Sequence, residues 1–190
     1  MLDKLIEGDK HLFLLLNNLG TETWDAFWLF MSNKWASIPL YLFLLFLSFR
    51  SFGWKRTLLI LLSVAIMITV TDQLANLFKY GVKRLRPCHD TAIFDQMRLV
   101  KSYCGGKYGY FSAHAANSFA LATFFAVLFH SKYRLITALL LIWGILVSYS
   151  RIYIGVHFPL DVATGISVGM LAGWLFSEIF RFSDQKLLKN

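Results

Sequence analysis

The stretch Tyr149-Ser-Arg-Ile-Tyr-Ile-Gly-Val-His-Phe-Pro-Leu-Asp161 joins two long apolar runs, and it decides how the whole chain is interpreted. A plain connector is built from small polar residues, whereas this one carries Arg151, His157 and Asp161. Pro159 is typical of the first turn of a helix, where its missing N–H costs nothing. Asp161 then falls in that first turn and can reach back to His157. A carboxylate that orients an imidazole beside a guanidinium is suited to nucleophilic attack at an oxyanion.

The composition indicates an integral membrane protein. Of the 190 residues, 57% are hydrophobic and only 16% are charged, and the mean hydropathy is +0.55. Soluble domains of this length are rarely so apolar. The net charge of +8 would favour nucleic acid in a soluble protein, but here the cations lie at the ends of apolar runs or in one polar loop. We therefore expect anionic lipid headgroups or an anionic substrate as partners, and no nucleic acid.

The apolar runs predict an all-α integral membrane protein, a bundle of about five transmembrane helices that forms a single domain over residues 1–190. Residues 1–35 are expected to form an N-terminal interfacial segment that starts with an amphipathic helix, because the apolar run there is too short to span a bilayer. The predicted spans are Ile38–Phe49, Thr57–Phe78, Ala113–Phe129, Leu135–Ser150 and Leu160–Phe180. The first span is short, so it either borrows residues from the aromatic segment before it or tilts little.

This order of spans places the loop 79–111 and the turn 151–158 on one side of the membrane. Segments 50–56 and 131–134 and the C-terminal tail lie on the other side. Cations are equally numerous on both sides, but those in short loops weigh more in setting orientation. We therefore expect the loop 79–111 on the extracytoplasmic face.

Cys88 and Cys104 both lie in that polar loop. On an oxidising face of the membrane they are expected to form a disulfide. One alternative is a pair of free thiols that face the cytosol. A zinc site that also uses His89 and His114 is a second alternative, but these spacings are irregular for zinc.

A basic cluster follows the second predicted span. Lys79 ends that span, and Lys83, Arg84 and Arg86 lie just beyond it. Cations at such a boundary are also typical of anchors to lipid headgroups, so the cluster alone does not indicate a site. Within the same span, Asp72 carries a carboxylate in an apolar run. We expect Asp72, with Asn76, to brace the polar side chains of Asn117 or Ser118 on the facing helix.

The segment Phe111-Ser-Ala-His-Ala-Ala-Asn-Ser118 opens the third span. Ser112 is a good N-cap, although a cap serine needs no further function. It leaves the N–H groups of Ala113 and His114 directed at an anion. The three clusters lie on the same side of the membrane and together offer three cations, two histidines and a helix N-terminus. They predict a pocket for a phosphoryl group beside the bilayer surface.

Three gapped motifs carry a family resemblance. They are Lys79-(six residues)-Arg86-Pro87, then Phe111-Ser112-Ala113-His114, then Ser150-Arg151-(five residues)-His157-(three residues)-Asp161. Their order and spacing resemble the signature of the type 2 phosphatidic acid phosphatase superfamily, which includes bacterial membrane lipid phosphatases and vanadium haloperoxidases. The resemblance covers residues 57–180. The middle motif departs from the family's Pro-Ser-Gly-His, because Phe111 and Ala113 replace Pro and Gly.

The resemblance implies a role for each motif residue. His157 is the expected nucleophile that forms a phosphohistidine, Asp161 orients it, and His114 is the acid for the leaving group. The groups expected to bind the phosphate oxygens are those of Lys79, Arg86, Ser112, Ala113 and Arg151. No metal or other cofactor is expected, since three cations take the place of magnesium. Lys83 and Arg84 are candidates for contact with a second phosphate.

We therefore expect metal-independent hydrolysis of a lipid phosphate monoester or diphosphate by a multi-pass protein of the bacterial inner membrane, with its active site facing the exterior. The candidate substrates are undecaprenyl diphosphate, phosphatidylglycerophosphate, phosphatidate and the phosphate groups of lipid A. The alternative is a non-catalytic protein that binds or transports lipid phosphates with a degraded site. The resemblance leaves the oligomeric state open.

Overall fold

The protein is an all-α membrane protein, as the sequence predicts. The computed structural model describes residues 1–130 and 132–187. Within these residues there is no β-strand, and one isolated bridge joins Leu85 to Tyr108. Ser131 and residues 188–190 fall in segments that we expect on the cytoplasmic side, and they lie outside the described residues. The helices are α1 Leu2–Asn18, α2 Glu22–Ser32, α3 Ile38–Val82, α4 Ala113–Phe129, α5 Arg134–Tyr153 and α6 Pro159–Leu187, with short 3-10 helices at Lys34–Ser37, Pro87–His89 and Phe94–Gln96.

Three helical segments in the described chain are long and apolar enough to cross a membrane: Lys34–Val82, which contains α3, and helices α5 and α6. Helix α4 is apolar but shorter. The spans that we predict at Ile38–Phe49 and Thr57–Phe78 are therefore two parts of α3. The polar loop also begins later than predicted, since α3 continues to Val82 and keeps Lys79 in its last turn.

Helix α3 breaks at Gly53, which has φ +75° and ψ 175°. This backbone conformation is open to glycine because it has no Cβ atom. The residues on both sides of the break contribute to one apolar core, Leu44 before it and Ile60 and Met67 after it. The predicted connector 50–56 is thus helical except at one residue, and the break lets both halves of α3 pack on α4.

Helix α4 is the centre of the bundle. It is apolar on all sides, which is typical of a helix that neighbours surround completely. Phe124 is fully buried and Phe125 is nearly so, and both belong to the main core with residues of α3, α5 and α6. Because α4 begins at Ala113, its N-terminus brings His114 to the same end of the bundle as the start of α6.

A stripe of glycines brings α6 into close contact with α4. Gly165, Gly169 and Gly173 recur every four residues and so lie on one face of α6. A Cβ atom at Gly169 would lie 2.2 Å from the carbonyl oxygen of Ala116, and one at Gly173 would lie 2.4 Å from that of Ala120. Small residues at a membrane helix interface allow backbones to approach closely. One turn before this stripe lies Asp161, whose carbonyl accepts the N–H of Ser112 at 2.9 Å.

Helix α1 buries polar groups against the rest of the protein. Asp9, Phe13 and Asn17 lie on one face, one turn apart, and all three are buried. The amide nitrogen of Asn17 donates to the carbonyls of Ile152 and Tyr153 at 3.1 and 2.8 Å. Several leucines on the other faces of α1 are exposed. This arrangement ties the N-terminal segment directly to the end of α5, which continues to Tyr153 and so extends into the predicted turn 151–158.

Candidate functional site

A cavity of about 580 Å³ runs from the motif residues into the bundle. Its upper part is polar and its deeper part is apolar, lined by residues such as Leu61, Phe125 and Trp143. The structure thus brings six of the predicted site residues together, although they come from α3, the loop, α4, α5 and the turn before α6. These six are Lys79, Arg86, Ala113, His114, Arg151 and His157.

His157 and Asp161 form the pair that the sequence suggests. The Nδ1 atom of His157 lies 3.5 Å from Oδ2 of Asp161, and both side chains are buried. That distance is at the limit of a hydrogen bond, and Nδ1 has no hydrogen-bond partner in the structure. Oδ2 of Asp161 is held instead by the N–H of Phe158 at 3.0 Å. Because Nδ1 faces Asp161, Nε2 is the ring nitrogen that remains for attack on a substrate.

Burial lowers the pKa of His157 well below the ordinary imidazole value of 6.5, and the nearby cations Arg86, Arg151 and Lys79 lower it further. A buried imidazolium would lose hydration and would be repelled by these three charges. His157 is therefore neutral near pH 7, which is the state in which an imidazole nitrogen acts as a nucleophile.

Arg151 is a buried cation that is only partly satisfied. Its side chain lies in α5 and is 4% exposed. One terminal nitrogen donates to the hydroxyl of Ser32 in α2, while the buried Nε has no hydrogen-bond partner among the described residues. A buried donor without an acceptor costs about 1–3 kcal/mol. An anion in the cavity would provide the missing acceptor.

Arg86 is held by the loop that contains it. Its Nε donates to the carbonyl of Tyr108 at 3.2 Å and its Nη1 to the carbonyl of Cys104 at 3.3 Å. Burial lowers the pKa of Arg86, and Asp161 partly offsets this effect, so the guanidinium remains charged. Backbone carbonyls therefore fix the direction of Arg86 while leaving its positive charge available to a ligand.

The start of α4 contributes His114 and Ala113 to the cavity, but not Ser112. Ser112 caps the helix as predicted, since its hydroxyl accepts the N–H of Ala115 at 3.4 Å. Its side chain is completely buried, so binding of a phosphate by this hydroxyl remains a prediction. Phe111 packs against Phe78 with ring centroids 5.6 Å apart and fills a small apolar cluster below the loop.

Lys83 and Arg84, the predicted contacts to a second phosphate, lie outside the cavity lining. Lys83 is exposed at the C-terminus of α3. Arg84 is engaged by two carboxylates, with its Nη1 2.9 Å from Oδ1 of Asp161 and its Nη2 bonded to Asp9. A second phosphate at Arg84 would have to compete with both ion pairs.

Cys88 and Cys104 form a disulfide in the structure, with Cα atoms 6.0 Å apart. The ligand atoms of these two residues and of His89 lie within 4.8 Å of one another. His114, the fourth member of the zinc alternative, is not part of this group. Sulfur atoms joined in a disulfide are not thiolates, so the group as it stands does not offer two strong ligands to zinc.

Asp72 faces the cavity between its polar and apolar parts. Its Oδ1 accepts a hydrogen bond from the amide of Asn117 at 2.9 Å, while the hydroxyl of Thr71 bonds to the amide oxygen of Asn117. The predicted bracing of Asn117 by Asp72 is confirmed. This network places polar groups one helical turn deeper than His114.

The sequence interpretation missed two residues near the site, the buried carboxylate Asp9 and Gly109. A Cβ atom at Gly109 would lie 2.9 Å from Cγ of Arg86 and 3.2 Å from Oδ2 of Asp161, so only glycine fits there without movement. Burial raises the pKa of Asp9, while its contacts with Arg84 and the N–H of Leu160 lower it. The spacing of four residues between Asp9, Phe13 and Asn17 was the signal in the sequence for Asp9. No local pattern marked Gly109.

The sequence is similar to those of known proteins. The sequence profile of the PAP2 superfamily matches residues 56–184. A protein named lipid A 4′-phosphatase from Bacteroides thetaiotaomicron is 35% identical over 178 residues, which are 93% of this chain and 78% of the relative. A lipid A 4′-phosphatase from Porphyromonas gingivalis is 34% identical over 190 residues, with 98% and 79% covered. An undecaprenyl-diphosphatase from Sulfolobus acidocaldarius is 29% identical over 188 residues, with 94% and 81% covered.

The fold also resembles a solved structure. The crystal structure of the transmembrane PAP2 type phosphatidylglycerolphosphate phosphatase from Bacillus subtilis superposes with a TM-score of 0.73, covering 98% of this chain and 89% of that chain. The two sequences are 19% identical, so this likeness concerns the fold alone.

Proposed function

Since this chain belongs to the PAP2 superfamily and is a lipid phosphatase, we propose that it removes a phosphate monoester from a saccharide lipid of the lipid A kind through a phosphohistidine intermediate. The observation that carries this proposal is one cavity that holds two histidines and three cations at its polar end and continues into an apolar chamber. Two relatives with this activity in their names match nearly the whole chain and support the choice of substrate.

The first chemical step is an in-line attack by His157. Its Nε2 forms a bond to phosphorus as the bond between phosphorus and the leaving oxygen breaks. The ring becomes positively charged, and Asp161, 3.5 Å from Nδ1, stabilises that charge. Burial lowers the pKa of His157, so the imidazole is neutral before attack. The geometry thus favours His157 as the nucleophile over His114, which has no carboxylate partner among the described residues.

Three cations balance the charge of the phosphoryl group. Lys79, Arg86 and Arg151 approach from α3, the loop and α5 and line the same part of the cavity. Charge on the equatorial oxygens is greatest in the transition state, so preorganised cations there lower the barrier. The N–H groups at the start of α4 add a fourth source of positive potential beside Ala113.

His114 completes the cycle as acid and then as base. The dianionic substrate stabilises the protonated form of His114, which then gives its proton to the leaving alkoxide. Water next attacks the phosphohistidine and transfers a proton to His114. The bond between phosphorus and His157 breaks, so inorganic phosphate is released and His157 is restored. The chain thereby supplies every proton acceptor and donor that the two steps require.

The apolar part of the cavity accounts for the lipid. Leu44, Leu61, Phe125 and Trp143 line it below the polar layer, and their surfaces can contact hydrocarbon. We place the protein in the bacterial inner membrane with this cavity opening to the exterior face. Cysteines paired in the loop beside the cavity support that orientation, because disulfides persist on the oxidising side.

Release of inorganic phosphate from purified protein tests this function. The panel contains a lipid A with a 4′-phosphate, undecaprenyl diphosphate, phosphatidylglycerophosphate and phosphatidate, each assayed in EDTA with and without vanadate. We expect turnover of the lipid A phosphate that resists EDTA and is blocked by vanadate. His157→Ala should abolish it, whereas His130→Ala, which changes an exposed histidine at the far end of α4, should not.

Undecaprenyl diphosphate is the second candidate, favoured by the relative from Sulfolobus acidocaldarius. Preferential turnover of this lipid would make it the assigned substrate in place of the saccharide lipid, and the proposed mechanism would stay the same. A requirement for added metal would contradict the mechanism. Binding of lipid phosphates without any turnover would instead support the non-catalytic alternative.

A further inference from the structure

The carboxylate behind the nucleophile is itself held by a second layer of charge. Arg84 lies between two buried carboxylates, with Nη1 2.9 Å from Oδ1 of Asp161 and Nη2 bonded to Oδ2 of Asp9. The side chains of Asp161 and Asp9 are 0% and 2% exposed, and that of Arg84 is 18% exposed. One cation is therefore shared by two anions in a site that water hardly reaches.

Asp9 has a second contact with the same region. Its Oδ1 accepts the N–H of Leu160 at 2.9 Å, which is the residue directly before Asp161 in the first turn of α6. The first N–H groups of a helix have no partner within the helix, and a carboxylate from elsewhere satisfies one of them here. Both oxygens of Asp9 are thus used to hold the segment that carries Asp161.

Aromatic contacts hold the same segment from α1. Phe13, one turn after Asp9, packs edge to face against Phe158 with ring centroids 5.3 Å apart. The guanidinium of Arg84 lies 4.4 Å from the centre of the Phe158 ring. The N–H of Phe158 in turn donates to Asp161. Helix α1 and Arg84 therefore enclose the residue that follows His157.

This arrangement controls how much negative charge Asp161 presents to His157. If Asp9 were neutral, the whole charge of Arg84 would act on Asp161, and Asp161 would stabilise the developing imidazolium less. The separation of 3.5 Å between His157 and Asp161 leaves no strong hydrogen bond to compensate. Asp9 thus affects the reaction at a distance, since it is not among the residues that line the cavity.

We infer that Asp9 is a positioning residue for phosphoryl transfer, which acts through Arg84 and the N–H of Leu160 to set the place and the effective charge of Asp161. This inference rests on the proposed function, because Asp161 matters only if His157 is the nucleophile. It extends the active site to the N-terminal helix, which lies outside residues 56–184 that match the family profile.

The test is a steady-state comparison of Asp9→Asn with a matched variant. Asp9→Asn keeps an oxygen that can accept the N–H of Leu160, but it removes the negative charge that pairs with Arg84. We expect kcat for the lipid phosphate to fall at least tenfold, while KM and inhibition by vanadate change less than twofold, because the three phosphate-binding cations are untouched. Asp9→Glu should recover part of the lost kcat.

The control is Asp90→Asn, which breaks another ion pair between α1 and the loop, that of Lys10 with Asp90 at 2.6 Å. It should keep kcat within twofold. A double variant tests the route: adding Asp9→Asn to Arg84→Gln should lower kcat by less than a further twofold, since Asp9 acts through Arg84. Thermal midpoints of all variants are measured in the same detergent.

Four outcomes would overturn the inference. The first is an unchanged kcat in Asp9→Asn. The second is a loss of kcat in both Asp9→Asn and Asp90→Asn that follows the decrease in their thermal midpoints. Independent, multiplicative losses in the double variant would contradict the route through Arg84. An inactive wild-type protein would reject the proposed function and the inference with it, whereas an active wild type with a normal Asp9→Asn would reject the inference alone.

Discussion

Individual side chains in this protein owe their chemistry to neighbours from distant parts of the sequence. His157 is neutral because it is buried and because Arg86, Arg151 and Lys79 surround it with positive charge. In the mechanism that we propose, the same cations bind the anionic substrate and keep the imidazole neutral, which is the state required for attack. The proposal therefore couples phosphate binding to activation of the nucleophile through the charges of these three cations.

This coupling predicts a pH effect for Arg86→Gln. Removing one cation raises the pKa of His157, so the imidazole becomes protonated, and inactive, at a higher pH. We expect the acidic limb of the kcat/KM profile, which reports the free enzyme, to move upward by up to about one pH unit. The control is Lys83→Gln, which removes an exposed cation outside the cavity and should leave the limb in place. A limb that stays fixed or moves downward in Arg86→Gln would contradict this electrostatic account.

Helices α4 and α6 form the element that sets the geometry of the site. The glycine stripe of α6 allows its backbone to lie against the carbonyls of α4. As a result, His114 and Asp161, which lie in the first turns of these two helices, come to the same end of the bundle. Packing between α4 and α6 thus positions the groups that we propose as catalytic.

Gly169→Ala tests this packing. The added Cβ atom would lie 2.2 Å from the carbonyl oxygen of Ala116, so the helices must separate. Overpacking of this kind costs about 1–3 kcal/mol. We expect a lower thermal midpoint and reduced turnover, measured by thermal unfolding in detergent and by phosphate release. The matched control is Gly81→Ala in α3, because a Cβ atom added there would meet no atom of another element within 4 Å. This change should be neutral or slightly stabilising.

At the scale of the whole molecule, the extramembrane loop and the N-terminal helix complete a site that the bundle alone leaves open. The disulfide between Cys88 and Cys104 closes part of this loop, and the carbonyl of Cys104 holds Arg86. Asn17 and Asp9 join α1 to the same region. If Arg86 binds the phosphate as we propose, stability of the loop and affinity for the substrate should therefore be linked.

Replacing both cysteines by serine should reveal this link. The cross-link joins residues 16 positions apart, so its loss should lower the free energy of unfolding by about 3 kcal/mol. We also expect KM for the lipid phosphate to rise several-fold, because Arg86 loses part of its support. Reductant should reproduce both effects in the wild type and change nothing in the double variant. Equal KM values in the two proteins would show that the loop holds Arg86 without the cross-link.

Orientation in the membrane is tested by labelling intact cells. Thr91→Cys places a thiol on the exposed surface of the loop that contains the disulfide, and Lys55→Cys places one near the break in α3. A maleimide that does not cross membranes should label the first variant and label the second only after the cells are opened. The reverse pattern would place the active site in the cytoplasm and contradict our assignment.

Much of the site was predictable because its residues recur in motifs of fixed spacing. Lys79, Arg86, His114, Arg151 and His157 lie around one cavity, as expected for residues at helix ends on the same side of the membrane. The partners of Arg84, which we expected to contact a second phosphate, were the least predictable feature of the site. A guanidinium in a loop can meet either a ligand or a protein carboxylate, and its carboxylates come from α1 and α6.

The sequence by itself determined the all-α membrane class and the identity of the chemical groups, because long apolar runs and charged residues at helix ends are local patterns. Only the tertiary structure decided how α3 breaks at Gly53, how closely α6 approaches α4, and which carboxylates hold Arg84. These features depend on pairs of residues far apart in the chain, and no periodicity in a single sequence records which helix face will meet which. The candidate catalytic residues could therefore be predicted from the sequence, whereas most of the contacts that hold them in place could not.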